Sequence, residues 1–245
     1  MSKNPIKTPL RNACLRLRNR FANGNEITEV LDRYKIDLVL DVGANVGQYA
    51  RNLIRNGYRG RIVSFEPLPT ALPKLQESRW GFDSWEVKPF ALGSENSTAT
   101  LNIAGNSMSS SLRGMLPSHV EAAPESAYVD ECVVEVKRMD SVIDKIKNND
   151  ERCYLKIDVQ GHEHHVIDGA IGCLDSITGI QMELSLQLLY EGQMVWQQAI
   201  DALESKGFQL MKICPGFCDR RTGAMLQADG IFIRKEAVNE LKMAA

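Results

Sequence analysis

The stretch Ile36-Asp-Leu-Val-Leu-Asp41-Val-Gly43-Ala-Asn-Val-Gly47 decides how the rest of the chain is read. Ile36 to Leu40 is a short apolar run with the character of a buried strand, and it passes directly into a turn that carries two glycines. Glycine has no Cβ, so the backbone can turn tightly there and approach a ligand. The helix expected next, from about Gln48 to Asn56, presents unpaired amides to negative atoms at its start. Strand, glycine turn and helix in that order make the front half of a βα unit.

Working outward, Arg61 to Phe65 is a second apolar strand that ends at Glu66-Pro67, and Thr70 to Ser78 has helical character despite Pro73. Further strands are expected at Glu86–Phe90, Cys153–Ile157 and Ile180–Leu184, with helices over Val166–Cys173 and Val195–Ser205. Phe208–Ile213 and Gly230–Ile233 read as a terminal antiparallel strand pair. This alternation predicts an α/β, Rossmann-like fold: a mostly parallel seven-stranded sheet with helices on both faces. Between Ser94 and Glu135 the pattern loosens. Alternation at Thr98–Ile103 and Cys132–Val136 flanks a serine-rich loop, which reads as an insertion lying over the sheet edge.

The 245 residues suit one large domain, taken as 31–245, preceded by a basic amphipathic helical region over 1–30. In that region Leu10, Cys14, Leu17 and Phe21 recur at helical spacing among Arg11, Arg16, Arg18 and Arg20. Docking against the domain is the first expectation for it, and contact with an anionic partner, a membrane surface included, the second. With 44% hydrophobic and 24% charged residues the composition is that of a soluble globular chain, and cytoplasmic localisation is expected. The net charge of −2 supplies no global positive field, so nucleic acid is not indicated as a partner. The six cysteines are scattered and read as reduced thiols. Cys214 and Cys218 lack the second ligand pair that a structural zinc needs.

In an open parallel sheet the ligand crevice lies beyond the carboxyl ends of the strands. Two acids mark it. Asp41 ends the first strand, where it is expected to accept from a ligand's ammonium or stand near a sulfonium. Glu66 ends the second, where a carboxylate can accept both hydroxyls of an adenosine ribose. Pyrophosphate would be repelled at Asp41, and the G-x-G-x-x-G fingerprint is absent. An oxidoreductase using a dinucleotide and a binding-only protein on the same fold nevertheless stay open as alternatives to a transferase.

Several segments together resemble methyltransferases of the FkbM family. They are Asp41-Val-Gly-Ala-Asn-Val-Gly47, Phe65-Glu-Pro67, Ala91-Leu-Gly93, Ser110-Ser-Leu112, Leu155-Lys-Ile-Asp-Val-Gln-Gly-His-Glu163 and Gly169-Ala170. Glu183-Leu-Ser, Leu189-Tyr190, Thr222-Gly and Asp229-Gly230 resemble members found beside bacterial glycan genes. The resemblance implies a class I methyltransferase fold, S-adenosylmethionine as cofactor, and O-methylation of a sugar, glycan or polyketide-type hydroxyl. It places Asp41, Gly43, Ala44, Asn45, Gly47, Glu66, Pro67, Ala91 and Leu92 at the cofactor. One departure stands out: Gln160 occupies a position where the family usually has glutamate.

Methyl transfer is an in-line displacement, so the protein must position an acceptor oxygen and take its proton. Asp158, at the end of a strand beside the expected cofactor, is the first candidate for catalysis or acceptor binding. His162 and Glu163 are alternative bases, while Lys156 offers Asp158 a purely structural partner. His164 and His165 face different ways on a helix, so at most one is expected to point at the pocket. Ser110 and Ser111 are placed on the acceptor side. Glu183 could join Asp158 around a divalent ion, although no metal ligand is assigned.

Overall fold

The computed structural model describes residues 24–244, so the basic segment carrying Leu10, Cys14, Leu17 and Phe21 lies outside the described residues. In chain order the elements are α1 (Gly24–Arg33), β1 (Leu38–Val42), α2 (Gln48–Arg55), β2 (Arg61–Phe65), α3 (Leu72–Arg79), β3 (Trp85–Lys88), β4 (Ala91–Leu92), β5 (Ser97–Ala104) and α4 (Pro117–Ala122). They continue with β6 (Tyr128–Lys137), β7 (Cys153–Ile157), α5 (Glu163–Asp168), β8 (Ile177–Ser185), α6 (Trp196–Ser205), β9 (Phe208–Pro215), β10 (Gln227–Arg234) and α7 (Lys235–Ala244).

Every residue of β1 is buried. Such a strand has no solvent face to alternate with, which is why it reads as a continuous apolar run. It is an interior strand, next to the central β7, of a seven-stranded sheet of order β3-β2-β1-β7-β8-β10-β9. The first five are parallel, and β10 runs antiparallel to both of its neighbours. The strand order reverses between β1 and β7, which opens a crevice at their carboxyl ends.

Side chains alternate across the sheet and feed two cores. Leu40, Phe65 and Leu155 pack on one face with Phe232; Val39, Ile62 and Tyr154 pack on the other with Trp85. Full burial of each aliphatic or phenylalanine side chain contributes about 1.5–3 kcal/mol, so both faces are needed to hold the sheet. α3 starts at Leu72, which puts Pro73 in its first turn, where a missing N–H costs no helical bond. The helix expected over 166–173 is found earlier, at 163–168, and ends against Gly169. None of the helices among the described residues is long and apolar enough to cross a membrane.

The insertion forms a second, three-stranded sheet of order β4-β6-β5. It does not lie over the edge of the main sheet as expected. Its loop 105–112 is tied to the exits of β1 and β7 instead: Asn45 Nδ2 donates to the Ser107 carbonyl at 3.3 Å, and Ser111 Oγ donates to the Gln160 carbonyl at 2.6 Å. Serine and asparagine side chains that bond to distant backbone make this loop a roof over the crevice.

Candidate active site

Beneath that roof lies a cleft that opens to solvent, lined from both walls and from the roof itself. One wall is the exit of β1 and β2, with Gly43, Asn45, Glu66 and Pro67. Ala91 and Leu92 of β4 line it as well, and Asp158, Gln160 and His162 form the wall after β7. Ser110 and Ser111 face it from the roof. Gly43 has φ of +77°, and a Cβ there would stand 1.9 Å from the Asp158 carbonyl oxygen, so only glycine lets the two walls meet. Gly47 has a different task. A Cβ on it would strike Leu75 and Trp85 at 2.8 Å, so it packs α2 against α3 and β3, away from the cavity. Ala44 is likewise turned into the core beside Val39 and Ala50.

Glu66 is buried, yet its carboxylate borders the cavity. Its Oε2 accepts the Asn45 N–H and its Oε1 the Leu68 N–H, each at 2.7 Å. Burial outweighs those two bonds and pushes its carboxyl up to about 7. Each oxygen keeps acceptor capacity for a further donor.

Asp41 is not on the wall. It is wholly buried, and the parallel register sets it opposite Ser64 on β2 and Lys156 on β7. Lys156 Nζ lies 3.0 Å from Asp41 Oδ1, and Ser64 Oγ donates to Asp41 Oδ2 at 3.3 Å. The same ammonium reaches the Gly43 carbonyl at 3.3 Å and lies 3.6 Å from Asp158 Oδ2. Asp41 therefore neutralises an internal lysine that braces both walls, and it is not among the residues that line the cavity. A lysine in the middle of the buried strand Cys-Tyr-Leu-Lys-Ile was the available signal, because a buried charge must be paired.

On the far wall Gln160 is the junction. Its backbone is left-handed, with φ of +56°. Its Nε2 donates to Asp158 Oδ1 at 2.8 Å and to Glu183 Oε2 at 3.0 Å, and its Oε1 accepts from the Tyr190 hydroxyl at 2.8 Å. Gln227 Nε2 gives Glu183 Oε2 a further bond at 2.6 Å. The space where Asp158 and Glu183 could have shared a divalent ion is thus filled by an amide donor, whose polarity suits carboxylates and not a cation. The sequence singled out Gln160 only as a departure from the family's glutamate; its part as a junction with Glu183, Tyr190 and Gln227 was not legible, since the bonds join four separate segments.

Two of the expected bases change role. Glu163 opens α5 but turns back: its Oε1 accepts the N–H groups of Val159 at 3.2 Å and Gly161 at 3.1 Å. It shapes its loop and does not line the cavity. Burial pushes it, too, up to about 7. His162 does line the cavity, and burial brings it down to about 3, so it is neutral there. His164 and His165 stay off the wall, gathered instead around Arg113.

The Methyltransferase FkbM domain model matches residues 41–210 of this sequence. The chain belongs to the FkbM methyltransferase family. It is 27% identical over 186 residues to the 2-O-methyltransferase NoeI of Sinorhizobium fredii, a match covering 73% of this chain and 74% of that protein. Among solved structures it resembles magnesium protoporphyrin IX methyltransferase from Synechocystis, a structure with bound SAM. There the TM-score is 0.54 at 8% identity, covering 96% of this chain and 87% of that one. The shared fold is that of class I methyltransferases.

Membership in the FkbM family makes the chain a methyltransferase and sets aside the oxidoreductase alternative; its methyl donor is S-adenosylmethionine. The residues present fit that cofactor. Glu66 retains unused lone pairs at a cavity wall, as a ribose diol requires, and Phe65, Leu92 and Leu101 supply apolar surface beside it for a purine.

Proposed function

We propose that this FkbM methyltransferase methylates a hydroxyl on a small-molecule or glycan acceptor, a sugar or a secondary metabolite, and that Asp158 receives the hydroxyl proton. What carries the reading is a single cavity that runs from Glu66, the acid suited to a ribose, to Asp158 on the opposite wall. The name of the NoeI relative, a 2-O-methyltransferase, supports oxygen as the atom methylated.

When bound, the sulfonium supplies a methyl group already activated for displacement. The remaining work falls to the chain's own groups. Gln160 and Lys156 flank Asp158, so its carboxylate is aimed by an amide on one side and balanced by an ammonium on the other. From there it accepts a hydrogen bond from the acceptor hydroxyl and takes the proton as the new C–O bond forms. The roof loop, latched through Ser107 and Ser111, excludes water that would compete for the methyl group.

The test pairs a panel of hydroxylated glycans and metabolites, read by S-adenosylhomocysteine release, with cofactor titration calorimetry. Removal of a general base costs about 10²–10⁴ in rate, so Asp158→Asn should lower turnover to that extent. Its cofactor Kd should stay within about threefold of wild type, since no cofactor contact is removed. Undiminished turnover in Asp158→Asn would take that residue out of the mechanism.

A further inference from the structure

Arg113 follows directly on Leu112, a residue of the cavity wall. Its guanidinium meets rings: Nη2 contacts His165 Nε2 and lies 3.5 Å from His164 Nε2. The three imidazoles are gathered together: His165 stacks on His162 with ring centres 4.3 Å apart and meets His164 at a tilt with centres 4.0 Å apart. Ser94 Oγ lies 3.2 Å from His165 Nδ1 and completes the group.

A half-buried guanidinium is ordinarily balanced by a carboxylate. Among the described residues none lies within ion-pair distance of Arg113. Two exposed acids stand in the neighbourhood without pairing with it: Asp168 sits one turn further along α5, and the Glu191 carboxylate packs where a Cβ on Gly114 would fall. Moreover, Arg113 Nε, His162 Nδ1 and His164 Nδ1 are all buried without a hydrogen-bond partner. Guanidinium only donates, and a neutral imidazole brings one donor of its own. The cluster is therefore short of acceptors, and it adjoins the cavity through His162 and Leu112.

The complement of such a group is an acceptor-only anion in bidentate reach of a guanidinium. We propose that Arg113, with His164 and His165, forms an anion subsite beside the cavity and selects acceptors that carry an acidic group, a carboxylate, sulfate or phosphate. The word acceptor rests on the O-methyltransferase reading above; the anion subsite itself does not. Burial and the neighbouring cations keep the imidazoles neutral, His165 falling to about 4. The groups that face them are Arg113 and one another, which oppose protonation, and Asp168, which favours it. An anion would tip that balance and draw a proton onto the cluster, so its binding should tighten as pH falls.

Inorganic sulfate is the first probe, titrated against sodium chloride of matched ionic strength while NMR follows the histidine ring protons at pH 7 and pH 6. The expected result is a saturable shift confined to the cluster, tighter at pH 6, and weakened about tenfold in Arg113→Gln. His165→Asn, which removes the titrating partner and keeps a polar side chain, should bind sulfate with no pH dependence. A second arm compares S-adenosylhomocysteine release on a glucuronoside and the matching glucoside. The acidic acceptor should be preferred about tenfold by wild type and not by Arg113→Gln. No saturable sulfate shift, or an equal one in Arg113→Gln, overturns the subsite. Cofactor calorimetry on the same samples separates the two readings, because failure to bind S-adenosylmethionine with sulfate binding intact sinks the methyltransferase mechanism alone.

Discussion

The exits of β2 and β7 each carry a buried glutamate, and the two side chains serve different ends. Glu66 accepts the N–H groups of Asn45 and Leu68 and still borders the cavity. Glu163 accepts those of Val159 and Gly161 and borders only its own loop. Burial lifts both carboxyls to about 7, so neither burial nor a shifted pKa tells them apart. Direction does. Glu66 is the residue immediately after its strand and is held at the mouth of the crevice. Glu163 begins the helix beyond the loop and reaches back into it. A carboxylate near a site is a candidate for chemistry only once its existing hydrogen bonds have been assigned.

The most severe way to break the comparison is to separate the two regions. Gly43→Ala forces a Cβ to within 1.9 Å of the Asp158 carbonyl at a left-handed backbone position. Strain and clash together should cost about 3 kcal/mol or more, which denaturant melts would register as loss of most of the stability or of folding. Near-wild-type stability would mean that the walls do not approach so closely.

A second pair of variants sharpens the contrast. Glu66→Ala and Glu163→Ala each strand two buried amides, a cost of about 2–4 kcal/mol at roughly 1–2 kcal/mol per group. Only Glu66→Ala should also weaken S-adenosylmethionine, by about 100-fold, the equivalent of roughly 3 kcal/mol of charged hydrogen bonding. Calorimetry with both variants decides the matter, and equal losses of affinity would erase the distinction.

The smallest effect is in pH. Both carboxyls titrate near 7 in the folded chain and near 4.5 ordinarily, so the folded state holds more protons between those values. Their contribution to stability is full below pH 4.5 and is lost as pH rises through 7. His162 and His165 act in the opposite sense: their folded values of about 3 and about 4 add stability as pH rises toward 6.5. Differences between wild type, Glu66→Gln and Glu163→Gln isolate each carboxyl. Cofactor binding discriminates further. Ribose hydroxyls donate to the ionised form, so affinity should rise about tenfold from pH 6 to pH 8, flatten in Glu66→Gln and persist in Glu163→Gln.

What could be read from the chain alone was what neighbouring residues decide among themselves. Apolar runs, glycine turns and helical spacing set the order of the elements and the parallel sheet. Glu66 could be placed because the end of a strand is a local fact. The tertiary structure decided the rest. Asp41 is paired with Lys156, a residue of β7 that only the β1–β7 register brings alongside. Glu163 turns back to the N–H groups of Val159 and Gly161, a choice of partners made by the fold of its loop. Gln160 became a bridge because Glu183, Tyr190 and Gln227 converge on it from other segments. Strand and turn preferences arise from sterics and burial over a few residues, whereas the partner of a buried charge or amide is set by contacts between segments far apart in the sequence. Periodicity cannot encode those pairings, and they fix what each polar group at the crevice is able to do.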